Sequence, residues 1–223
     1  MKVVIFDLDG TLVDSAPDIH GVTNALLRSM GYQPQSLDEV RSFIGNGIPK
    51  LVERVMRASD IEYTSARHAE LTETFLSLYA AQPVAQTVLY PSVRDALETL
   101  GRQEYRLGVC TNKSHAITLQ VLQALGIADL FGAVVGGDSL PQRKPDPAPL
   151  LHCAAQLDAS QVIYVGDSEV DAGTAEAAGV PFILFTEGYR KTEAANLTHA
   201  HRFDDFAGLP ALVDDAFRLV AAA

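Results

Sequence analysis

Residues 3–11 read "VVIFDLDGT". A short β-branched run, Val3 to Phe6, stops on two carboxylates, Asp7 and Asp9, and on the turn residue Gly10. A brief apolar run closed by turn chemistry has the pattern of a buried strand. Two like charges this close repel, so groups that offset them have to come from elsewhere in the chain.

Working outward, residues 14–82 contain no strand pattern. They hold four segments of helical spacing, "APDIHGVTNALLRSMG", "SLDEVRSFIG", "IPKLVERVMRAS" and "SARHAELTETFLSLYAA", with Gly or Pro between them. After Pro91 the pattern alternates. A helix with Val93, Ala96, Leu97 and Leu100 on one face is expected to stop at Gly101. The strand Arg106–Cys110 runs into "TNKS", and a helix ending at Gly126 follows. Then come strand "GAVVGG", helix "DPAPLLHCAAQL", strand "QVIYVGDS", helix "EVDAGTAEAAG", strand "VPFILFT" and a closing helix "FAGLPALVDDAFRLV". Strands alternating with helices imply parallel βαβ units in three layers. The expectation is an α/β protein, a Rossmann-like parallel-sheet core over residues 1–13 and 86–223 with a small α-helical cap, residues 14–85, inserted.

The length, 223 residues with 48% hydrophobic, suits one such core plus a small lobe. The formal net charge of -11, from 17 basic and 28 acidic residues, disfavours nucleic acid and anionic membranes as partners. It admits a small phosphorylated metabolite, because a metal ion or one lysine reverses the sign locally. The two isolated cysteines suggest no disulfide framework, and the apolar run at the N-terminus is too short for a signal peptide. No stretch is long enough to span a membrane, and a cytoplasmic protein is expected.

In open parallel sheets, ligands bind beyond the carboxyl ends of the strands. The polar residues at those ends are Asp7 and Asp9, Thr111 and Asn112, Gly136 to Asp138, and Asp167, Ser168 and Asp171, with Lys144 in the loop before "DPAPLL". Four carboxylates on one edge call for a hard divalent cation, and an all-oxygen donor set suits Mg²⁺. Taken singly, each piece has an ordinary role: a turn at Asp7–Gly10, an N-cap at Thr111 and Asn112, a helix-start charge at Asp171, a solvated Lys144. The six histidines show no metal spacing, and Cys110 is a strand residue rather than a nucleophile.

Together "DLDGT", "TN", the lysine of "RKPDP" and "GDSEVD" resemble, in order, the four motifs of the haloacid dehalogenase superfamily. The likeness covers essentially the whole chain, cap included. "FIGNG" and "DGTLVDSAPDI" further resemble bacterial phosphoglycolate phosphatases. The resemblance implies that Asp7 is a nucleophile forming an aspartyl-phosphate and that Asp9 is the general acid and base. Gly10 would let the backbone approach phosphate. Thr111 and Asn112 would bind phosphoryl oxygens or order their loop, and Lys144 would neutralise transition-state charge. Mg²⁺ would be held by Asp7, the Asp9 backbone carbonyl and Asp167, with Asp171 acting through water or from outside. Gly45, Asn46 and Gly47 would form a substrate loop reaching in from the cap. Arg41 and Lys50 flank that loop and are candidates to meet a substrate carboxylate, the alternative being solvated helix residues.

The function implied is a Mg²⁺-dependent phosphatase acting on a small phosphomonoester, 2-phosphoglycolate foremost. Two alternatives stand beside it: another phosphoryl-transfer enzyme, such as a sugar phosphatase or a β-phosphoglucomutase-like mutase, and a non-enzymatic receiver-like switch. A receiver has no reason to carry the helical insertion or the acid at Asp9. Monomer and homodimer are both open.

Overall fold

The structure is a computed structural model that describes residues 1–82 and 84–222. The opening strand β1 (Lys2–Phe6) lies inside the sheet, with Val3, Val4, Ile5 and Phe6 all inaccessible to solvent. It leads into a two-residue strand β2 (Val13–Asp14), which pairs antiparallel with β3 (Val88–Leu89). The main sheet is completed by β4 (Arg106–Cys110), β5 (Ala133–Val135), β6 (Gln161–Gly166), β7 (Phe182–Phe185) and β8 (His201–Phe203). All pairings in it are parallel, in the order β5-β4-β1-β6-β7-β8. Near-continuous apolar strands are what a sheet covered on both faces requires.

The alternation of side chains along β1 divides the core. Val4 and Phe6 pack with Leu97 and Leu100 of α5 (Val93–Arg102), Val121 of α6 (His115–Ala124) and Phe217 of α9 (Leu209–Ala222). Val3 and Ile5 pack on the other face with Leu150 and Cys153 of α7 (Ala148–Gln156) and Ala175 of α8 (Glu169–Ala178). Between β2 and β3 lie the four remaining helices, α1 (Ala16–Ser29), α2 (Leu37–Phe43), α3 (Ile48–Ala58) and α4 (Ser65–Ala81). Ser36 and Glu39 form a reciprocal cap that starts α2. The α3 stripe Ile48, Leu51, Val52, Val55 and Met56 is buried, as are Leu71, Phe75 and Tyr79 of α4.

Two local expectations are corrected. Gly101 does not stop α5, which runs to Arg102; the chain reverses at Glu104, whose φ is 64°, where the Tyr105 N–H reaches the Leu100 carbonyl. The sheet also has an unforeseen sixth strand, β8. Its sequence "HRF" is short and mostly polar because it is an edge on which only Phe203 is buried.

The segments entering and leaving the helical cap are tied together. The Asp18 carboxylate accepts from the Thr87 N–H at 2.8 Å, the Thr87 hydroxyl at 2.6 Å and the Gln86 N–H at 2.9 Å. Such charge-assisted bonds are among the stronger ones available to a protein.

Candidate active site

Strand β1 delivers Asp7 with its backbone fixed, because the Asp7 N–H donates to the Val165 carbonyl at 2.9 Å. One carboxylate oxygen each of Asp7, Asp167 and Asp171 lies within 4.8 Å of the others, and all three residues are buried. The Lys144 ammonium is the opposing charge. It is 3.0 Å from Asp7 Oδ1 and 2.7 Å from Asp171 Oδ1, and it donates to the Tyr164 hydroxyl at 2.7 Å.

The partners are unequal. Asp171 is saturated: Oδ1 takes Lys144 and Tyr164, while Oδ2 takes the Ser168 N–H and hydroxyl and the Asp167 N–H. Burial alone would raise its pKa, yet Lys144 and these donors hold it below the usual carboxylate range. It serves as a strut for Lys144 and for the start of α8. Asp7 has the charge beside it without an aligned hydrogen bond, and its Oδ1 is buried with no hydrogen-bond partner. Burial, only partly offset by Lys144 and reinforced by Asp171, pushes Asp7 up to about 7. Asp167 is raised well above the carboxylate range by burial and by the charges of Asp171 and Asp7, despite donors from Tyr189 N–H and the Thr11 hydroxyl.

Two glycines shape this cradle. A Cβ on Gly10, whose φ is +85°, would come within 2.6 Å of Asp167 Oδ2, and one on Gly188 within 2.3 Å of the Asp167 Cβ. A buried carboxylate oxygen without a hydrogen bond, a crowded all-oxygen donor set and a single lysine set against three carboxylates fit a hard divalent cation such as Mg²⁺.

Asn112 holds the lysine loop. Its amide donates to the Lys144 carbonyl at 3.1 Å and accepts from the Lys144 N–H at 3.1 Å. The same amide reaches the cap, donating to the Gly45 carbonyl at 3.1 Å. Of the two roles expected for Asn112, the geometry matches ordering the loop. Thr111 lines the cleft, and its hydroxyl accepts from the Lys113 N–H. Asp138 accepts from the His115 N–H at the start of α6 and takes no part in the cleft.

Asp9 does not join the acidic cluster. Its carboxylate accepts from the Ser15 hydroxyl at 2.6 Å and from Lys113 Nζ at 2.9 and 3.2 Å. Its side chain is therefore not among the carboxylates that could hold a cation together with Asp7, Asp167 and Asp171. Lys113 went unmarked in the sequence, although it directly follows Thr111 and Asn112 at the same strand end. Its side chain is 1% exposed and also donates to the Tyr79 hydroxyl of α4 at 2.6 Å.

The cleft over these groups encloses little free space, about 30 Å³, and opens to the surface. It is lined by Asp7, Asp9, Thr111, Asn112 and Lys113 from below and by Ile19, Ile44, Gly45, Gly47, Ile48 and Leu51 from the cap. Gly45 and Gly47 thus stand where a substrate loop was expected. Asn46 does not reach in, since its side chain accepts from Arg54 at 2.7 Å. Arg41 is not brought to the lining either; it lies 4.0 Å from Asp14 and over the Tyr189 ring. Lys50 faces away, paired with Glu53 at 2.7 Å. Among the described residues, no helix is long and apolar enough to cross a membrane.

The family model for haloacid dehalogenase-like hydrolases matches residues 4–185. The chain is a haloacid dehalogenase-like hydrolase. It is 52% identical over 213 residues to a phosphoglycolate phosphatase of Cereibacter sphaeroides, covering 96% of this chain and 98% of the relative. A phosphoglycolate phosphatase of Rhodospirillum rubrum is 43% identical over 216 residues, covering 93% and 89%. The crystal structure of a predicted phosphoglycolate phosphatase from Haemophilus somnus superposes with a TM-score of 0.89 at 34% identity, covering 95% and 97%. Likeness of this extent makes this hydrolase an enzyme of the phosphatase type.

Proposed function

We propose that this hydrolase cleaves a small-metabolite phosphomonoester, 2-phosphoglycolate foremost, with Mg²⁺ bound and through a phosphoryl group carried transiently on Asp7. The observation that carries the chemistry is the orphaned Asp7 Oδ1 beside Lys144. The substrate reading is supported by the relatives' names.

When bound, Mg²⁺ supplies positive charge to the phosphoryl oxygens and offsets the crowded carboxylates. In the first step an Asp7 oxygen bonds to phosphorus, the ester P–O bond breaks, and Asp9 gives a proton to the leaving alkoxide. In the second, water attacks phosphorus, Asp9 takes its proton, and the bond to Asp7 breaks to release phosphate. Lys144 faces the charge that builds on Asp7 and the phosphoryl group. The cap shields the phosphoenzyme from alternative acceptors.

The test is phosphate release from a panel of phosphorylated metabolites with Mg²⁺, compared as kcat/KM. A clear preference for 2-phosphoglycolate supports the substrate, and inactivity across the panel sinks the reading. Asp9→Asn sharpens the mechanism. General-acid help is worth about 10²–10⁴-fold where the leaving group needs a proton. Phosphorylation of Asp7 is therefore expected to slow far more with 2-phosphoglycolate than with p-nitrophenyl phosphate, whose leaving group is stable as an anion. Equal slowing in single-turnover measurements would remove Asp9 from the acid role.

Metal binding has a signature independent of turnover. Asp7, pushed up to about 7 by burial, and Asp167, raised by the same cause, favour their protonated forms in the metal-free fold. The contribution of Asp7 to stability is greatest at acid pH and is lost as pH climbs from about 4 through about 7, and that of Asp167 is lost in the same direction. Protons also compete with the cation for the same oxygens. Millimolar MgCl₂ is expected to raise Tm by more at about pH 8 than at about pH 5.5. A shift of equal size at both would rule out these carboxylates as the ligands.

A further inference from the structure

Lys113 is a buried ammonium in the wall of the cleft, with the apolar side chains of Ile19, Ile44, Ile48 and Leu51 across from it in the lining. The charge that balances it is the Asp9 carboxylate, at 2.9 and 3.2 Å. Its third contact, the Tyr79 hydroxyl, accepts from it at 2.6 Å, and the phenolic proton meets no acceptor among the described residues. Tyr79 is itself fully buried and stands behind Lys113, outside the residues that line the cleft. Lys144 is engaged with Asp7 and Asp171, Arg41 lies beside Asp14 and Lys50 pairs with Glu53. A cationic donor and an unused hydroxyl donor therefore sit side by side, one on the core and one on the cap.

We propose that Lys113 and Tyr79 form the seat for a carboxylate on the substrate, so that the enzyme selects short phosphorylated hydroxy acids over neutral phosphate esters. The proposal rests on the phosphatase reading above. When Asp9 turns to the ester oxygen, Lys113 loses its partner, and a buried ammonium without a counter-charge is costly. A substrate whose carboxylate stands one carbon from the ester oxygen brings a replacement, and it also gives the Tyr79 proton an acceptor. A neutral ester does neither.

The experiment compares kcat/KM for 2-phosphoglycolate with that for its neutral analogue, 2-phosphoglycolamide, with Mg²⁺ present. Wild type is expected to favour the acid by about 10²–10³-fold, the scale of losing one partner of a buried charge pair. Lys113→Met is expected to bring that ratio to within about tenfold of unity, and Tyr79→Phe to lower it about tenfold. The ratio isolates recognition from any general loss of rate. Tyr79→Phe keeps the ring in the core and carries the test alone if Lys113→Met does not fold. A wild-type ratio near unity, or a ratio that either folded variant leaves unchanged, overturns the proposal while the phosphatase reading stands. A wild-type enzyme that hydrolyses neither ester overturns both.

Discussion

Asp7→Asn is expected to lower phosphate release by about 10⁵-fold, the scale on which loss of a nucleophile is felt. An amide neither attacks phosphorus nor ligates a hard cation well. Stability is expected to move the other way. In the metal-free fold at alkaline pH, the Asp7 carboxylate is a buried charge without a hydrogen bond on Oδ1 and with Asp171 and Asp9 repelling it. Its removal is expected to raise Tm at about pH 8 by a few degrees, as about 1–2 kcal/mol would in a chain of this length. Substantial turnover by a well-folded variant would eliminate Asp7 as the nucleophile.

Lys144→Met should hurt both properties. It removes the cation from Asp7 and Asp171 in a pocket where the lysine side chain is 1% exposed. Breaking a buried pair from one side costs about 3–5 kcal/mol, or roughly 6–20 °C in Tm at this size. Activity is expected to fall by roughly 10³–10⁵-fold, as when a transition-state cation is lost. The stability deficit is expected to narrow as the pH falls, because protonation relieves the stranded carboxylates. Adding Asp7→Asn to Lys144→Met should return part of the stability and none of the activity. Circular dichroism melts of the three variants at two pH values check these signs, and an unchanged melt for Lys144→Met would deny the ion pair its structural weight.

Much of this was legible in the sequence for a local reason. A parallel sheet buried on both faces writes its strands as short apolar runs, and the residue at which such a run turns polar marks the edge. Asp7, Thr111 and Asp167 were found by that reading alone, and the edge logic reached Lys144 and Asp171 as well. Side-chain direction was less legible. Lys113 looks like a solvated loop lysine, because nothing in "TNKS" reports that Tyr79, from a helix 34 positions earlier, closes over it. Arg41 and Lys50 looked available because the sequence does not say which way a cap helix is turned, although the Lys50–Glu53 spacing was itself a hint of an i,i+3 pair. Strand β8 was missed because edge strands need little apolar content.

The antiparallel pairing of Val13 with Leu89 and Asp14 with Val88 has a consequence for descent. The chain departs from the sheet and returns to it at neighbouring points, so to the sheet the intervening helices are one long hairpin loop. Closing such a loop costs only about 0.6 kcal/mol more for each doubling of its length. Inserts of very different size and shape can therefore be exchanged at this junction with little penalty to the scaffold beneath. The reacting groups can be inherited while the choice of substrate is rewritten.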